Sequence, residues 1–353
     1  MSFTSMYPTV SINIVVWNEK EFLSELLKSV VAQTFRDFSV LVIDNGSNDA
    51  VEQFVREHYP EVTLIRNARN LGFSTAHNQG IRYALEHWGG NLDDRYVLVT
   101  NPDTIFTPTF LEELVGAARA HSRAGSIGGK LFRAFGENLN DEVFKETVRS
   151  QRFDSAGLSV HRNGTVTDRG AGELDTGAYD REENVFGLSG ALVLYRAQAL
   201  EEVRIGDEFF DRDFFAYKED VDIAWRLQHL GWDALYAPRA VGYHYRGMYG
   251  PEKVGIWQRI KNRRNKSPIR NYYSTRNHWL TLMKNLRVTD AVLFGLWIFP
   301  HEIGRLIFVF IFEGSGRRAV VDTIKLIPAM LKKRSVIFSR AKRSGAEMRK
   351  WFR

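Results

Sequence analysis

Residues 10–47 read VSINIVVWNEKEFLSELLKSVVAQTFRDFSVLVIDNGS, and this stretch decides the fold class. Val10–Val16 is an apolar run with the length of a buried strand, and Glu19–Gln33 sets Phe22, Leu23, Leu26, Leu27 and Val30 on one face of a helix. Phe38–Ile43 is a second apolar run, closed by the turn residues Asp44-Asn45-Gly46-Ser47, with Ser47 or Asn48 placed to cap a following helix. Strand, helix and strand at this spacing predict a βαβ unit and hence a parallel pair.

The alternation continues outward. Val62–Ile65 and Arg95–Thr100 read as strands, Thr75–Trp88 and Pro108–His121 as helices, so the first 122 residues form a Rossmann-like nucleotide-binding half. From Gly125 the text shortens to β-like pieces at Ser126–Phe132, Leu158–His161 and Leu192–Tyr195, separated by polar stretches; 136–185 is expected to hold mobile loops. Val221–Leu230 reads as a helix ended by Gly231, with closing strands at Ala234–Tyr236 and Ala240–His244. Gly247–Pro251 looks like a linker. The predicted fold is α/β with a mixed, mostly parallel sheet: a domain over 1–250, divided into a nucleotide half (1–122) and an acceptor half (123–250), and a basic helical tail over 251–353.

The 353 residues are 44% hydrophobic, enough for a full core and against disorder. With no cysteine, disulfides, thiolate metal sites and cysteine nucleophiles are excluded. The first residues lack the pattern of a secretory signal, so a cytoplasmic orientation is expected. Net charge divides sharply: residues 1–250 carry 25 Lys and Arg against 36 Asp and Glu, residues 251–353 carry 23 against 6. A polyanionic partner for the tail follows, and an anionic membrane surface is the expected one. Ala291–Phe312 is apolar but interrupted by Pro300, His301, Glu302 and Arg305, which argues for an interfacial or re-entrant segment rather than a simple span; a homodimer contact is the other use for it.

Two acidic signals carry the chemistry. Asn101-Pro102-Asp103 follows an apolar strand, at the rim where open α/β sheets bind ligands. Departure of a diphosphate leaves negative charge that Mg²⁺ or Mn²⁺ neutralises through carboxylate oxygens, which makes Asp103 the metal ligand and Asn101 a contact to ribose or to a metal-bound water. Further on, Asp213, Glu219, Asp220 and Asp222 put four acids within ten residues, among Phe214, Phe215, Tyr217 and Trp225. A carboxylate partly desolvated there suits deprotonation of an alcohol: Asp220 is assigned as base, Glu219 as the alternative or as a residue orienting the acceptor, and Asp222 with Arg226 as a structural pair. Asp44 can accept a uracil or thymine imide N–H or a ribose hydroxyl, or serve only as a turn residue. Gly72 permits close backbone approach and Ser74 can cap the helix behind it. His244 is a candidate metal ligand or diphosphate contact, and Arg246 a phosphate clamp.

Taken in order, Asn18-Glu19, Asp44-Asn45, Asn70-Leu-Gly72-Phe73-Ser to Asn78-Gln-Gly80, Asn101-Pro-Asp103, Ser189-Gly190-Ala191 and Glu219-Asp220-Val-Asp222-Ile-Ala-Trp-Arg resemble the inverting glycosyltransferases of family 2, above all the bacterial rhamnosyltransferase-like branch. The resemblance spans about residues 9 to 246. It implies a GT-A fold and a single displacement that inverts the anomeric carbon. It further implies that Asp44 is the base or ribose contact, Asp103 the metal-binding aspartate, Gly190-Ala191 part of the donor-sugar and acceptor wall and Asp220 the catalytic base; with these, Asn18, Glu19, Asn45, Gly72, Phe73, Asn78, Asn101 and Arg246 are the expected donor contacts, His244 the expected second metal ligand and Glu219 the expected partner of Asp220. Asn101 replaces the first Asp of the family's usual D-x-D. No Q-x-x-R-W follows the base, so transfer of one sugar rather than polymerisation is expected. The branch implies dTDP-rhamnose as donor, with a UDP-sugar (galactofuranose, glucose or GlcNAc) as the alternative, and a polyprenyl-diphosphate-linked or cell-surface glycan as acceptor, met by a peripheral enzyme on the inner face of the cell membrane. A nucleotidyltransferase would need a Gly-rich basic loop after the first strand, where Val16-Trp17-Asn18-Glu19 stands. A nucleic-acid-binding protein using the basic, aromatic stretch from Trp257 to Trp279 would leave the acidic constellation unused, so no nucleic-acid partner is expected.

Overall fold

A computed structural model describes residues 7–138, 145–245 and 267–353. Strand β1 (Val10–Val16), helix α1 (Lys20–Val31), β2 (Phe38–Asp44), α2 (Val51–His58), β3 (Thr63–Arg66), α3 (Gly72–His87) and β4 (Tyr96–Thr100) follow the predicted alternation. β1 pairs in parallel with β2 and β4, and β2 with β3, so the first half is a parallel array in the order β3-β2-β1-β4. Burial alternates with the pleat: Tyr96 and Leu98 enter the core layer containing Leu23, Leu26 and Leu114, whereas Val97 and Val99 enter the opposite layer with Ile81, Val193 and Leu227. The result is a sheet covered by helices on both faces, α1 and α4 (Phe110–Ala120) on one and α3 on the other.

Beyond β4 the sheet changes direction. β5 (Thr104–Phe106), β6 (Ala124–Asn138), β7 (Lys145–Ser155), β10 (Glu183–Val185), β11 (Leu192–Arg196) and β12 (Asp233–Tyr245) extend it to the order β10-β12-β6-β11-β4, with β11 antiparallel to both β4 and β6 and with β7 paired to β6. β8 (Leu158–Val160) and β9 (Val166–Asp168) form a separate hairpin. Much of 136–185, expected to be loops, is therefore strand. The charged character of β7 misled the reading, because its pairing partner β6 lies next to it only through the hairpin. Helices α5 (Ala197–Val203) and α6 (Glu219–His229) complete this half.

The basic tail is not an appendage. It folds as α7 (Pro268–Asn285), α8 (Val288–Leu293), α9 (Gly295–Phe312), α10 (Gly314–Ser339) and α11 (Gly345–Arg349), and its charges are largely turned inward. Lys284, fully buried, pairs with Asp211 at 2.5 Å and Asp222 at 2.8 Å; Lys333 pairs with Asp213 at 2.8 Å and also with Asp211. Arg334 donates to the carbonyls of Met283 and Leu286, and Arg343 pairs with Asp233. Of the tail's basic residues, for which an anionic surface was the expected partner, Lys284, Lys333, Arg334 and Arg343 are thus turned inward, whereas Arg317, Arg318, Lys325, Lys332 and Lys342 remain exposed. The chain end packs as well, with Phe352 against Trp225 and Phe294, and the Arg353 N–H donating to the Val160 carbonyl at 3.0 Å. The linker expected at 247–251 lies outside the described residues.

Candidate active site

The C-terminal ends of β1, β2 and β4 open onto one rim, at the point where the sheet switches from parallel to antiparallel. At the end of β2, Asp44 is buried; one oxygen accepts the Ser47 N–H at 2.8 Å and the other faces the Arg66 guanidinium at 3.7 Å. With Ser47, Asn48 and Arg66 it lines a cleft of about 660 Å³. Ser47 does not cap α2, whose N-cap is Ala50; its hydroxyl instead accepts the Asn18 N–H at 3.0 Å, and Asn18 in turn accepts the Asn48 N–H at 2.7 Å, tying the ends of β1 and β2 together.

Asn45 anchors the next loop. Its amide donates to Asn70 and its carbonyl oxygen accepts from Leu71 N–H and from Asn67. This sets α3 to begin at Gly72, three residues ahead of the predicted start, and φ there is +80°. A Cβ on Gly72 would lie 2.5 Å from the ring of Phe215, so the glycine serves the close approach of the loop before α6. That loop takes the α3 amide as well: the Phe215 carbonyl accepts the Ser74 N–H at 3.1 Å. Asn78 lies deeper, donating to the Phe210 carbonyl and accepting from the N–H groups of Phe209 and Phe210, so its side chain holds the 209–210 segment.

Asn101-Pro102-Asp103 forms the turn from β4 to β5. Hydroxyls of Thr100 and Thr104 both donate to the Asn101 carbonyl, at 3.1 and 3.0 Å, which fixes the turn. Asp103 Oδ1 is buried, accepts no hydrogen bond, and faces His244 Nε2 at 3.3 Å. The other ring nitrogen, Nδ1, meets Asp154 Oδ2 at 2.8 Å. Burial opposes charge on this imidazole, but Asp103 and Asp154 outweigh it and push His244 up to about 10. Glu19, at the start of α1, is pushed up to about 7, first by burial and then by the charge of Asp103.

An orphaned buried carboxylate oxygen beside an imidazole whose far nitrogen is held by a second carboxylate is the arrangement of a metal ligand pair with an outer-shell support. Asp103 and His244 fit Mg²⁺ or Mn²⁺ as two ligands. Among the described residues no group of three His, Asp or Glu gathers for a cation, so these two ligands would leave the rest of a shell to substrate and water oxygens.

Two backbone hydrogen bonds join this turn to the acidic helix. Asn101 N–H donates to the Ala191 carbonyl at 2.9 Å, and the neighbouring Gly190 N–H donates to Asp220 Oδ2 at 3.2 Å. Asp220 Oδ1 accepts the Val221 N–H at 2.7 Å. Phe73 closes the same corner: a Cβ on Gly190 would sit 3.6 Å from its ring and 3.1 Å from Asp220 Cβ. Asp220 and Glu219 then face a cleft of about 300 Å³ whose other walls include Asp168, Tyr217, Lys218 and Arg270.

The two acids differ in environment. Glu219 is buried, its Oε2 accepts no hydrogen bond, and burial followed by the adjacent Asp220 pushes it up to about 8. Asp220 is raised too, by burial, but Lys218 and the Gly190 N–H pull against that. Both carboxyls are therefore held above their ordinary range by burial, with Lys218 and the Gly190 N–H favouring the charged form of Asp220.

Asp222 and Arg226 form the expected buried pair at 2.9 Å. Arg246 lies outside the described residues. Asp154, Asp168 and Arg270 carry no local pattern that marks them, since they reach the site from distant strands or from the tail; Lys218 directly precedes the acidic pair Glu219-Asp220.

Residues 11–204 match the family description Glycosyl transferase family 2. The N-acetylglucosaminyl-diphospho-decaprenol L-rhamnosyltransferase of Mycobacterium tuberculosis is 31% identical over 247 residues, which is 69% of this chain and 77% of that protein. The poly-beta-1,6-N-acetyl-D-glucosamine synthase of Staphylococcus epidermidis is 21% identical over 71% of this chain and 53% of its own length. Among solved structures, GalNAc-T7 with UDP, GalNAc and Mn²⁺ superposes with a TM-score of 0.55 at 15% identity, over 79% of this chain and 49% of that one. S. aureus TarS 1-349 does so at 0.51 and 14% identity, over 94% and 88%. At these identities the two structures establish the fold.

Proposed function

The chain belongs to glycosyl transferase family 2 and is a glycosyltransferase; from that premise we propose that it moves one sugar, L-rhamnose from dTDP-rhamnose, onto a polyprenyl-diphosphate-linked acceptor. The observation that carries the reading is the pair of hydrogen bonds from Asn101 to Ala191 and from Gly190 to Asp220, which sets the leaving-group end and the base end of one displacement side by side. The rhamnose and the polyprenyl-diphosphate-linked acceptor follow the name of the mycobacterial relative, and dTDP as its carrier follows the family resemblance.

The nucleotide lies along the ends of β1 and β2, against Asn18, Asp44 and Asn45, with Gly72, Phe73 and Asn101 beside the diphosphate. Gly190 and Ala191 wall the sugar. Asp103 and His244 would hold Mg²⁺ or Mn²⁺, which supplies positive charge to the departing diphosphate. Asp220 takes the proton of the acceptor hydroxyl as that oxygen bonds to the anomeric carbon from the face opposite the breaking bond to the diphosphate. Configuration inverts. Glu219, protonated, donates to or orients the acceptor. Replacement of Asp220 by Asn keeps its shape and removes the base: turnover of dTDP-rhamnose falls by about 10²–10⁴-fold while dTDP affinity stays. Wild-type turnover by Asp220→Asn overturns the assignment.

The tail supports an interfacial enzyme on the inner face of the cell membrane. Helix α9 is long and apolar enough to cross a membrane, by length and composition, and only 17% of it is buried. Its polar residues point into the protein: Glu302 accepts from Trp279 at 2.7 Å and meets His278 at 2.8 Å and Arg305 at 3.3 Å. Leu296, Phe299, Ile303, Ile307 and Phe310 are exposed at helical spacing, Leu296 to 84%. Val321, Ile324 and Leu331 of α10 add to the exposed apolar surface beside Arg317, Arg318 and Lys325, the pairing of greasy and basic groups that suits anionic headgroups. The same stretch of α7 that looked suited to nucleic acid is occupied internally, Trp279 by Glu302 and Arg276 by backbone carbonyls. Sedimentation with phosphatidylglycerol vesicles tests this; a dimer that ignores vesicles would give the face to a second copy instead.

A further inference from the structure

The base Asp220 stands two residues beyond a segment held in an unusual backbone conformation. Phe215, Tyr217 and Lys218 have φ of +63°, +71° and +71°, left-handed values that side chains other than glycine rarely adopt. Something outside the segment must hold it. A single side chain of the tail does: Asn277 Nδ2, on α7 and fully buried, lies 2.8 Å from the Phe214 carbonyl, 2.8 Å from that of Ala216 and 2.7 Å from that of Tyr217. The amide orientation is fixed, because its oxygen accepts Arg276 Nε at 3.0 Å. Arg276 itself donates to the carbonyls of Asp213 and Phe214. Flanking contacts grip both ends, with Lys284 on Asp211 and Asp222, and the Phe215 ring stacked 4.9 Å from Tyr273.

We propose that Asn277 is a positioning residue for the reaction: by gathering the carbonyls of Phe214, Ala216 and Tyr217 around its amide nitrogen it holds the left-handed backbone that aims the Asp220 carboxylate at Gly190 and the acceptor. The proposal rests on the assignment of Asp220 as base. It gives the tail a catalytic task separate from surface attachment, since Asn277 lies on the inner side of α7, away from the exposed stripe of α9. Released from the amide, Tyr217 and Lys218 relax toward negative φ, the chain direction into α6 changes, and the carboxylate leaves the Gly190 N–H. No hydrogen bond of Asn277 reaches the ends of β1, β2 and β4; the loop touches the donor side through Phe215, at Gly72 and Ser74 of α3, and the nucleotide contacts of Asn18, Asp44 and Asn45 stay as they are.

The test compares full-length wild type with Asn277→Ala and Asn277→Leu, the second keeping the volume while removing the donors. Hydrogen–deuterium exchange over 213–221 is expected to accelerate at least tenfold in both, with exchange in β1 and β4 unchanged. With dTDP-rhamnose and an N-acetylglucosaminyl-diphospho-polyprenol, kcat is expected to fall at least tenfold while the Kd for dTDP stays within twofold. Unchanged exchange in the loop, full turnover despite a loosened loop, or global unfolding of both variants would overturn the positioning role. If wild type fails to turn over that substrate pair, the donor and acceptor assignment falls, while the exchange measurement still decides whether Asn277 holds the loop.

Discussion

Gly190 donates its backbone N–H to the carboxylate of Asp220 at 3.2 Å, across 30 residues of chain. This contact ties the 190–191 segment, proposed to wall the donor sugar, to the carboxylate proposed as the base. It also lowers the proton affinity of Asp220 against the burial that raises it, which separates the two acids of the pair.

Gly190→Ala tests that spacing. The added Cβ would stand 3.1 Å from Asp220 Cβ, so the start of α6 must give by a few tenths of an ångström. We expect kcat to fall about 10-fold or more, as small misplacements of reacting groups do, with nucleotide affinity nearly kept. Unchanged kcat would show that the corner has slack.

Glu219 gives a pH signature. Its carboxyl titrates near 8 in the fold against an ordinary 4.5, so the fold prefers the protonated form. The stability it contributes is complete below about 4.5 and is lost as pH rises through about 8. Wild type should lose thermal stability between pH 6 and 9, and Glu219→Gln, which cannot ionise, should lose less. The difference at pH 9 should exceed roughly 1 kcal/mol, since each pKa unit is worth ~1.4 kcal/mol. Parallel curves for the two proteins would refute it.

Asp154 holds His244 from behind at 2.8 Å. Asp154→Asn should weaken Mn²⁺ binding, measured by calorimetry in the presence of dTDP, by about 10–100-fold, the usual cost of losing an outer-shell partner. Equal affinity in the variant would remove His244 from the ligand set.

Lys284 is fully buried between Asp211 and Asp222. Lys284→Met keeps the volume but leaves two interior carboxylates short of a partner, and should destabilise the fold by about 3–5 kcal/mol in urea unfolding. A neutral outcome would mean that Lys333 and Arg226 suffice.

The central strands of the first half were legible as unbroken apolar runs because they are buried on both faces, Val97 and Val99 on one and Tyr96 and Leu98 on the other, and the helices because each buries one face at helical spacing. Asp103 and Asp220 were legible by position, one after a strand and one in the first turn of a helix. Asp154 was not, because its partner is 90 residues away along the chain and β7 carries no apolar alternation to announce it. Ser47 was misread as a helix cap for the same reason, since its hydroxyl is used across strands by Asn18.

By itself, the sequence determined the family, through the resemblance of its ordered motifs, and the parallel half of the sheet and the chemical types present at the rim, which follow from local spacing and composition. Only the tertiary structure decided where the tail goes. Counting charge makes residues 251–353 a basic surface, yet Lys284, Lys333, Arg334 and Arg343 turn inward to carboxylates and carbonyls that lie far off in sequence. Interior ion pairs and amide clamps form between groups that share space rather than sequence, and their strength depends on a burial that no stretch of residues displays alone.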